Sequence, residues 1–109
     1  MLTLTEAYNG LAPGNYGISV VFTGTSDWIM LPSNMDFVSV AIHPAPGEAA
    51  RVEFTLAGAT AINGGTAVWM TWPTGNANTS ANDALLTHAS AIRGVTSGSG
   101  NATLEVLAT

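Results

Sequence analysis

The chain has 109 residues, which suffices for one domain, and only 8% of them are charged, against about 25% in a typical folded protein. A net charge of −5 with two arginines and no lysine excludes a phosphate-binding surface and hence nucleic-acid partners, and the absence of cysteine excludes disulfides and thiol chemistry. So little charge favours a surface that is partly covered by other copies of the chain or by another protein.

Residues 1–15 are predicted to be an N-terminal segment that precedes a single domain spanning residues 16–109. The segment ends in the turn sequence Ala12-Pro13-Gly14-Asn15 and is expected to reach a neighbour or to lie along a sheet edge. It lacks the basic start and apolar run of a secretion signal, and no run in the chain approaches the roughly 18 apolar residues of a membrane span.

The first half of the domain contains three apolar stretches that predict strands, namely Tyr16–Phe22, Trp28–Leu31 and Phe37–His43. The first and third alternate, as a strand with one packed face does. Their inward side chains are expected to be Ile18, Val20, Phe22, Val38, Val40 and Ile42. Turn sequences separate the three strands.

The clearest alternation lies in the middle of the chain, in Arg51–Leu56 and Ala67–Trp72. Both are predicted to be strands, and Ala57–Thr66 between them is small and glycine-bearing, as in a loop or a single helical turn. The side chains expected to face the core are Val52, Phe54, Leu56, Val68, Met70 and Trp72. The opposite face then carries Arg51, Glu53, Thr55 and Trp69.

Three further segments complete the chain. Pro73–Asp83 consists of turn-forming and polar residues and predicts the longest loop, a place where contacts are made. Ala84–Val95 is expected to hold a helical turn followed by a strand from Ser90, and Ala102–Leu107 to form the last strand. About seven to eight strands at intervals of roughly ten residues predict an all-β, single-domain β-sandwich of jelly-roll-like build.

Candidate catalytic groups are few. Ser26, Asp27 and His43 are the residue types of a hydrolase triad, but no Gly-x-Ser-x-Gly elbow accompanies them. The seven acidic residues are scattered over loops and strand faces and form no pair of the kind that glycoside hydrolysis needs. The chain is therefore expected not to be an enzyme.

No metal ion or other cofactor is expected. His43 and His88 lie 45 positions apart, and neither has a second ligand at metal-binding spacing. Asp27 and Asp36 flank a short strand and could share a calcium ion with loop carbonyls, but no EF-hand pattern supports this. The simpler interpretation is that the aspartates accept backbone hydrogen bonds in turns and that the histidines are polar tips on strand faces.

The outward residues of the central strands are predicted to form an interface. Trp69 and Trp72 have opposite parity, so Trp72 is expected in the core and Trp69 against a partner. With so few charges, each arginine is expected to pair with a carboxylate inside the subunit or across an interface, Glu53 and Glu105 being available on strands. The predicted interface residues are Arg51, Glu53, Trp69 and Arg93.

Several phrases of the sequence are distinctive in combination: Thr23–Trp28 (TGTSDW), Ala41–Pro44 (AIHP), Arg51–Phe54 through Gly65–Trp69, Ala91–Val95 (AIRGV), and Leu104-Glu105-Val106. Together they resemble small virion structural proteins of tailed bacteriophages, in particular the capsid decoration or cement proteins of short-tailed phages. The resemblance covers most of the chain from Thr23 onward. It implies a β-sandwich or jelly-roll protein that binds other virion proteins.

The leading hypothesis is a non-enzymatic capsid decoration protein that binds as a dimer or trimer across adjacent major-capsid subunits and stabilises the shell of a virion assembled in the host cytoplasm. The second is a tail, neck or fibre-attachment component of such a particle. The third is a carbohydrate-binding module that uses Trp69 and the Pro73–Asp83 loop. For the first two, edge strands and the N-terminal segment are the expected bonding points.

Overall fold

Residues 1–33, 35–85 and 88–109 are described by a computed structural model of the chain. They form ten strands in two five-stranded sheets, which confirms the predicted all-β sandwich. The strands are β1 (Leu2–Thr3), β2 (Thr5–Glu6), β3 (Tyr16–Phe22), β4 (Ile29–Met30), β5 (Val38–Pro44), β6 (Ala50–Thr55), β7 (Trp69–Ala77), β8 (Ala81–Ala84), β9 (Ala91–Thr96) and β10 (Ala102–Ala108). The first sheet has the order β1-β4-β9-β6-β7 and the second the order β2-β3-β10-β5-β8.

Eight of these strands pair like one long hairpin that is folded over on itself. β3 pairs with β10, β4 with β9, β5 with β8 and β6 with β7, all of them antiparallel. Because these nested pairs alternate between the two sheets, the chain has the winding of a jelly roll, as predicted. β5 and β10 have strand partners on both sides, so their backbone N–H and C=O groups are used inside the second sheet.

The core lies between the sheets and follows the strand alternation. It contains Phe22, Ile29, Val40, Ile42, Ala50, Val52, Phe54, Trp72, Leu85, Ile92, Ala102, Leu104 and Val106. Ile18, Val20 and Val38 pack against this cluster, so the predicted facing of β3 and β5 is confirmed. Trp72 is 7% exposed, which confirms its prediction as a core residue.

The N-terminal segment lies along the edges of both sheets. β1 pairs in parallel with β4, and β2 pairs antiparallel with β3. A single 3-10 turn, Tyr8–Gly10, follows β2, and its Tyr8 side chain lies over Gly17 of β3. Each sheet therefore receives its outer strand on this side of the sandwich from residues 2–6.

Pro73–Asp83 consists of two strand segments joined by a turn and is not the predicted long loop. β7 continues through Ala77, residues 78–80 form the turn, and β8 begins at Ala81. The turn takes the chain from the edge of the first sheet to the edge of the second. The polar composition of Pro73–Asp83 conceals the strands because an edge strand has one side open to solvent and does not need an apolar alternation.

The helical content is small. The turn α1 (Ala59–Asn63) lies between β6 and β7 and confirms the helical turn allowed for Ala57–Thr66, whereas residues 88–90, where a second turn was expected to end, are not helical. Leu86 and Thr87, in the same predicted turn, lie outside the described residues. Among the residues described, no helix has the length and hydropathy needed to span a bilayer.

Gly94 of β9 is the position where the core leaves no room for a side chain. A Cβ at Gly94 would overlap with the Phe22 ring, which reaches across from the second sheet. We expect Gly94→Ala to lower the free energy of unfolding by about 1–3 kcal/mol, measured by urea denaturation. Gly98→Ala is the matched control, because its Cβ would meet only the movable end of Glu48, and its effect should stay within about 0.5 kcal/mol. Equal effects of the two substitutions would contradict this packing.

Candidate functional site

Both arginines of the chain converge on Glu53, on the outer face of the first sheet. Arg93 lies directly opposite Glu53 across the β6–β9 ladder and donates from Nε to Oε1 at 2.8 Å. Arg51, two residues along β6, donates from Nε to Oε2 at 3.0 Å. The Glu53 side chain is 1% exposed, so its two oxygens are held by the two guanidiniums almost out of contact with water. This confirms the prediction that each arginine has a carboxylate partner.

Two tryptophans border the Arg93 guanidinium. Its Cζ lies 4.3 Å from the centroid of the Trp28 ring and 5.7 Å from that of Trp69, both within the range of a cation–π contact. Trp28 immediately precedes β4 and Trp69 begins β7, so the two rings approach from opposite sides of the β9–β6 pair. We call Arg51, Glu53, Arg93, Trp28 and Trp69 the arginine cluster.

The arginine cluster can bind an anionic group. Each guanidinium has five N–H donors, and the bond to Glu53 uses one of them. The Arg51 side chain is 38% exposed and that of Arg93 is 21% exposed, so both reach the surface. Two arginines and one glutamate give the cluster a net charge of +1 in a chain whose net charge is −5. A carboxylate of another protein is the matching partner chemistry.

The exposure expected for the side chains of the central strands is wrong at five positions. Leu56, Val68 and Met70, expected in the core, are 58%, 80% and 51% exposed. The last rung of the β6–β7 ladder joins Thr55 to Trp69, so Leu56 and Val68 lie beyond the sheet, and Met70 stands next to its end on an outer strand. Conversely, Glu53 and Thr55, expected to face outward, are each 1% exposed.

Thr55 is enclosed by the connection between β6 and β7. Its Oγ1 donates to the Val68 carbonyl at 2.6 Å and accepts from the Ala57 N–H at 3.1 Å. These two bonds tie both ends of the connection to the sheet, which fixes Leu56 and Val68 in exposed positions. Together with Trp69, which is 44% exposed, and Met70 they are the exposed apolar side chains at the start of β7, here called the apolar edge.

A second polar group lies on the outer face of the second sheet. His43 of β5 hydrogen-bonds through Nε2 with Glu105 Oε1 at 2.6 Å and through Nδ1 with Ser80 Oγ at 2.9 Å. Ser80 is in the β7–β8 turn, so the group attaches this turn to the second sheet. Side-chain exposures of 41% for His43 and 52% for Glu105 place it in solvent.

The candidate triad and metal residues are not assembled. Ser26 Oγ donates to the Asp27 carbonyl and accepts from the Gly94 N–H, while His43 lies on the other sheet. His88 lines a pocket at one end of the sandwich, away from the His43 group. Within residues 1–33, 35–85 and 88–109, no group of three or more histidines and carboxylates is placed to hold a metal ion.

The predicted interface residues Arg51, Glu53, Trp69 and Arg93 lie together, and their role in binding another subunit stays a prediction. Glu53 lies beneath the others, so contact with another protein falls to the arginines and Trp69. Of the Pro73–Asp83 segment in the predicted sugar site, the residue 78–80 turn lies at the far end of β7 from Trp69, and the sugar-binding alternative stays a prediction.

Sequence reasoning gave Trp28 no role and missed the apolar edge. An available signal for the edge was the run of 29 residues from Phe54 to Asn82 that contains no charged residue. Trp28 and the His43 group could be placed only by the strand register, because their contacts join positions 28 with 93, and 43 with 80 and 105.

The sequence matches no protein-family model and no curated protein. Among solved structures, it is similar to a chain from disulfide-linked pili, the Bacillus endospore appendages, with a TM-score of 0.46 and 14% identity over 87% of this chain and 86% of that chain. The pili described there are disulfide-linked, whereas this chain has no cysteine. A likeness of this size carries no inference about function, and the resemblance to phage proteins stays a prediction.

The ion pairs of Glu53 should be energetically coupled. Arg51→Ala and Arg93→Ala are each expected to lower the free energy of unfolding by about 1–2 kcal/mol, because one guanidinium still pairs with the buried carboxylate. The double variant should lose about 3–5 kcal/mol, since Glu53 then has no cation beside it. Adding Glu53→Leu to the double variant should restore much of this loss, measured by urea denaturation.

His43→Ala is the comparison for an exposed pair and should cost less than about 1 kcal/mol. Additive effects of the two arginine substitutions, with no recovery on adding Glu53→Leu, would show that the buried carboxylate does not couple them.

Proposed function

We propose that the chain is a non-enzymatic structural protein of a virus particle, a capsid decoration or cement protein that binds across major capsid subunits and stabilises the shell. The observation that carries the proposal is the group of exposed apolar side chains at the start of β7, one of which, Trp69, also contacts Arg93 in the arginine cluster. In this group Val68 is 80% exposed and Trp69 44% exposed, next to two arginines that reach solvent. Large exposed apolar patches on folded proteins mark interaction sites.

The chemistry of this surface suits a protein partner. Tryptophan and arginine are the residues that most often supply binding energy at protein interfaces. Trp69 offers an apolar surface and the arginine cluster a net positive charge, so the matching capsid surface presents apolar side chains beside a carboxylate. The jelly roll occurs in capsid proteins and in lectins, and the resemblance of the sequence to phage decoration proteins favours the first.

The His43 group supports a structural role in place of a catalytic one. Acyl transfer needs N–H donors aimed at the developing oxyanion. Glu105 has ladder partners on both sides, Ser19 and Ala41, and His43 is paired with Thr103. The hydrogen bonds of the group attach the β7–β8 turn to the second sheet.

The proposal locates the protein in the virion and predicts its copy number there. Purified particles should contain hundreds of copies, in proportion to the major capsid protein, measured by quantitative mass spectrometry. A tail or neck component follows the rotational symmetry of the tail and would be present in about a dozen copies or fewer. Absence from purified particles, or a copy number of the tail class, would overturn the decoration role.

A pair of variants tests which surface binds the shell. Particles produced without the protein should take up the wild-type chain and Val21→Ala, but should take up Trp69→Ala at least tenfold more weakly. Val21 is the control because it is 66% exposed on the outer face of the second sheet, opposite the arginine cluster. Equal uptake of all three chains would contradict binding through Trp69.

A further inference from the structure

The sandwich has four outer strands, and they differ in how well they are protected from pairing with another chain. β1 and β2 are two residues long each, and β8 has four residues with Asp83 among them. β7 is nine residues long and contains no charged residue. Exposed edges of single molecules are normally kept apart by shortness, charge, proline or β-bulges. The second half of β7 contains Pro73 and the register shift against β6, whereas residues 69–72 have none of these protections.

The surroundings of β7 are uncharged as well. The run of 29 uncharged residues from Phe54 to Asn82 includes the whole of α1, β7 and the following turn. The apolar edge at the start of this strand exposes Val68 and Met70 by 80% and 51%. These are the side chains that a strand added beside β7 would cover.

Electrostatics favour a second copy of the chain as the added strand. Two molecules with a net charge of −5 repel each other, so they approach best where the local charge is not negative. β6 and β7 together carry Arg51 and Glu53, and Arg93 of β9 lies beside them, which makes this side of the first sheet slightly positive. The remaining six carboxylates belong to residues outside β6 and β7.

We propose that two copies pair through residues 69–72 of β7, edge to edge and antiparallel about a two-fold axis, so that the first sheet continues from one copy into the other. An antiparallel pair of these segments is self-complementary, because each offers the other the same row of N–H and C=O groups up to Pro73, which has no N–H. The contact covers Val68 and Met70 of both copies, while Arg51, Arg93 and the Trp69 ring stay on the outer face of the first sheet and remain free to bind the shell. It deepens the proposed function by naming the partner at β7, and it rests on that function only for its biological setting.

Each chain is folded before it dimerises, so surface variants can test the dimer contact without unfolding the chain. The accessible surface of 5825 Å² is close to the roughly 5,700 Å² expected for a compact monomer of 11.1 kDa. Sedimentation equilibrium of the isolated chain should therefore give twice the monomer mass. Val68→Lys and Met70→Lys should each weaken the dimer at least tenfold, because like charges meet across the two-fold axis. Val21→Lys on the second sheet is the matched control and should stay dimeric.

Engineered cysteines identify the strand at the contact. The chain has no cysteine of its own, so single substitutions give unambiguous crosslinks. Residues paired with themselves or with close neighbours across an antiparallel axis have Cα atoms about 4.5–5.5 Å apart, within disulfide range. Under mild oxidation at least one of Met70→Cys and Thr71→Cys should give a covalent dimer in high yield, whereas Val21→Cys should not.

The outcomes separate this proposal from the proposed function. A wild-type chain that stays monomeric at 100 times the concentration used for particle binding would overturn the β7 dimer, whatever its copy number in virions. A dimer that survives both lysine substitutions and gives no crosslink in β7 would overturn it as well. Dimerisation together with absence from particles would keep the β7 contact and reject the decoration role.

Discussion

The buried carboxylate of Glu53 determines where both arginines of this molecule lie. It binds both arginines, so the chain has no other arginine or lysine to place on its surface. The bonds join β6 to its neighbour β9 and hold the Arg93 guanidinium between Trp28 and Trp69. Because Glu53 is 1% exposed, removal of both cations would leave a desolvated charge, and the outer face of the first sheet depends on keeping them.

Because both arginines lie at Glu53, one side of the sandwich is without the charge that usually prevents association between protein molecules. From Phe54 to Asn82 the chain offers only apolar and neutral polar groups, and it presents them on an outer strand. The jelly-roll winding explains why β7 is an outer strand: it ends the order β1-β4-β9-β6-β7 and pairs with β6 on one side. The shortage of charge in the composition is therefore concentrated at one edge.

The fold could be predicted from the sequence where strands have one face on the core and one in solvent. In β3 and β5 the alternation gave the boundaries to within about one residue and the correct inward residues. It failed on β7, because the sandwich does not cover the start of an outer strand, so Met70 is exposed despite its inward parity. The strand segments within Pro73–Asp83 were missed because an edge strand can consist of neutral polar residues without an apolar alternation.

The site was predictable only in part. The shortage of charge led correctly to a carboxylate partner for each arginine, but the partner of Glu105 is His43 because register, not charge alone, decides which groups meet. The most direct test of an assembly role is amide hydrogen exchange of the free chain, diluted until it is monomeric, and of the chain in purified particles. The account predicts new protection in residues 68–72 and around Arg93 on assembly, with β3 unchanged; unchanged exchange in residues 68–72 would contradict it.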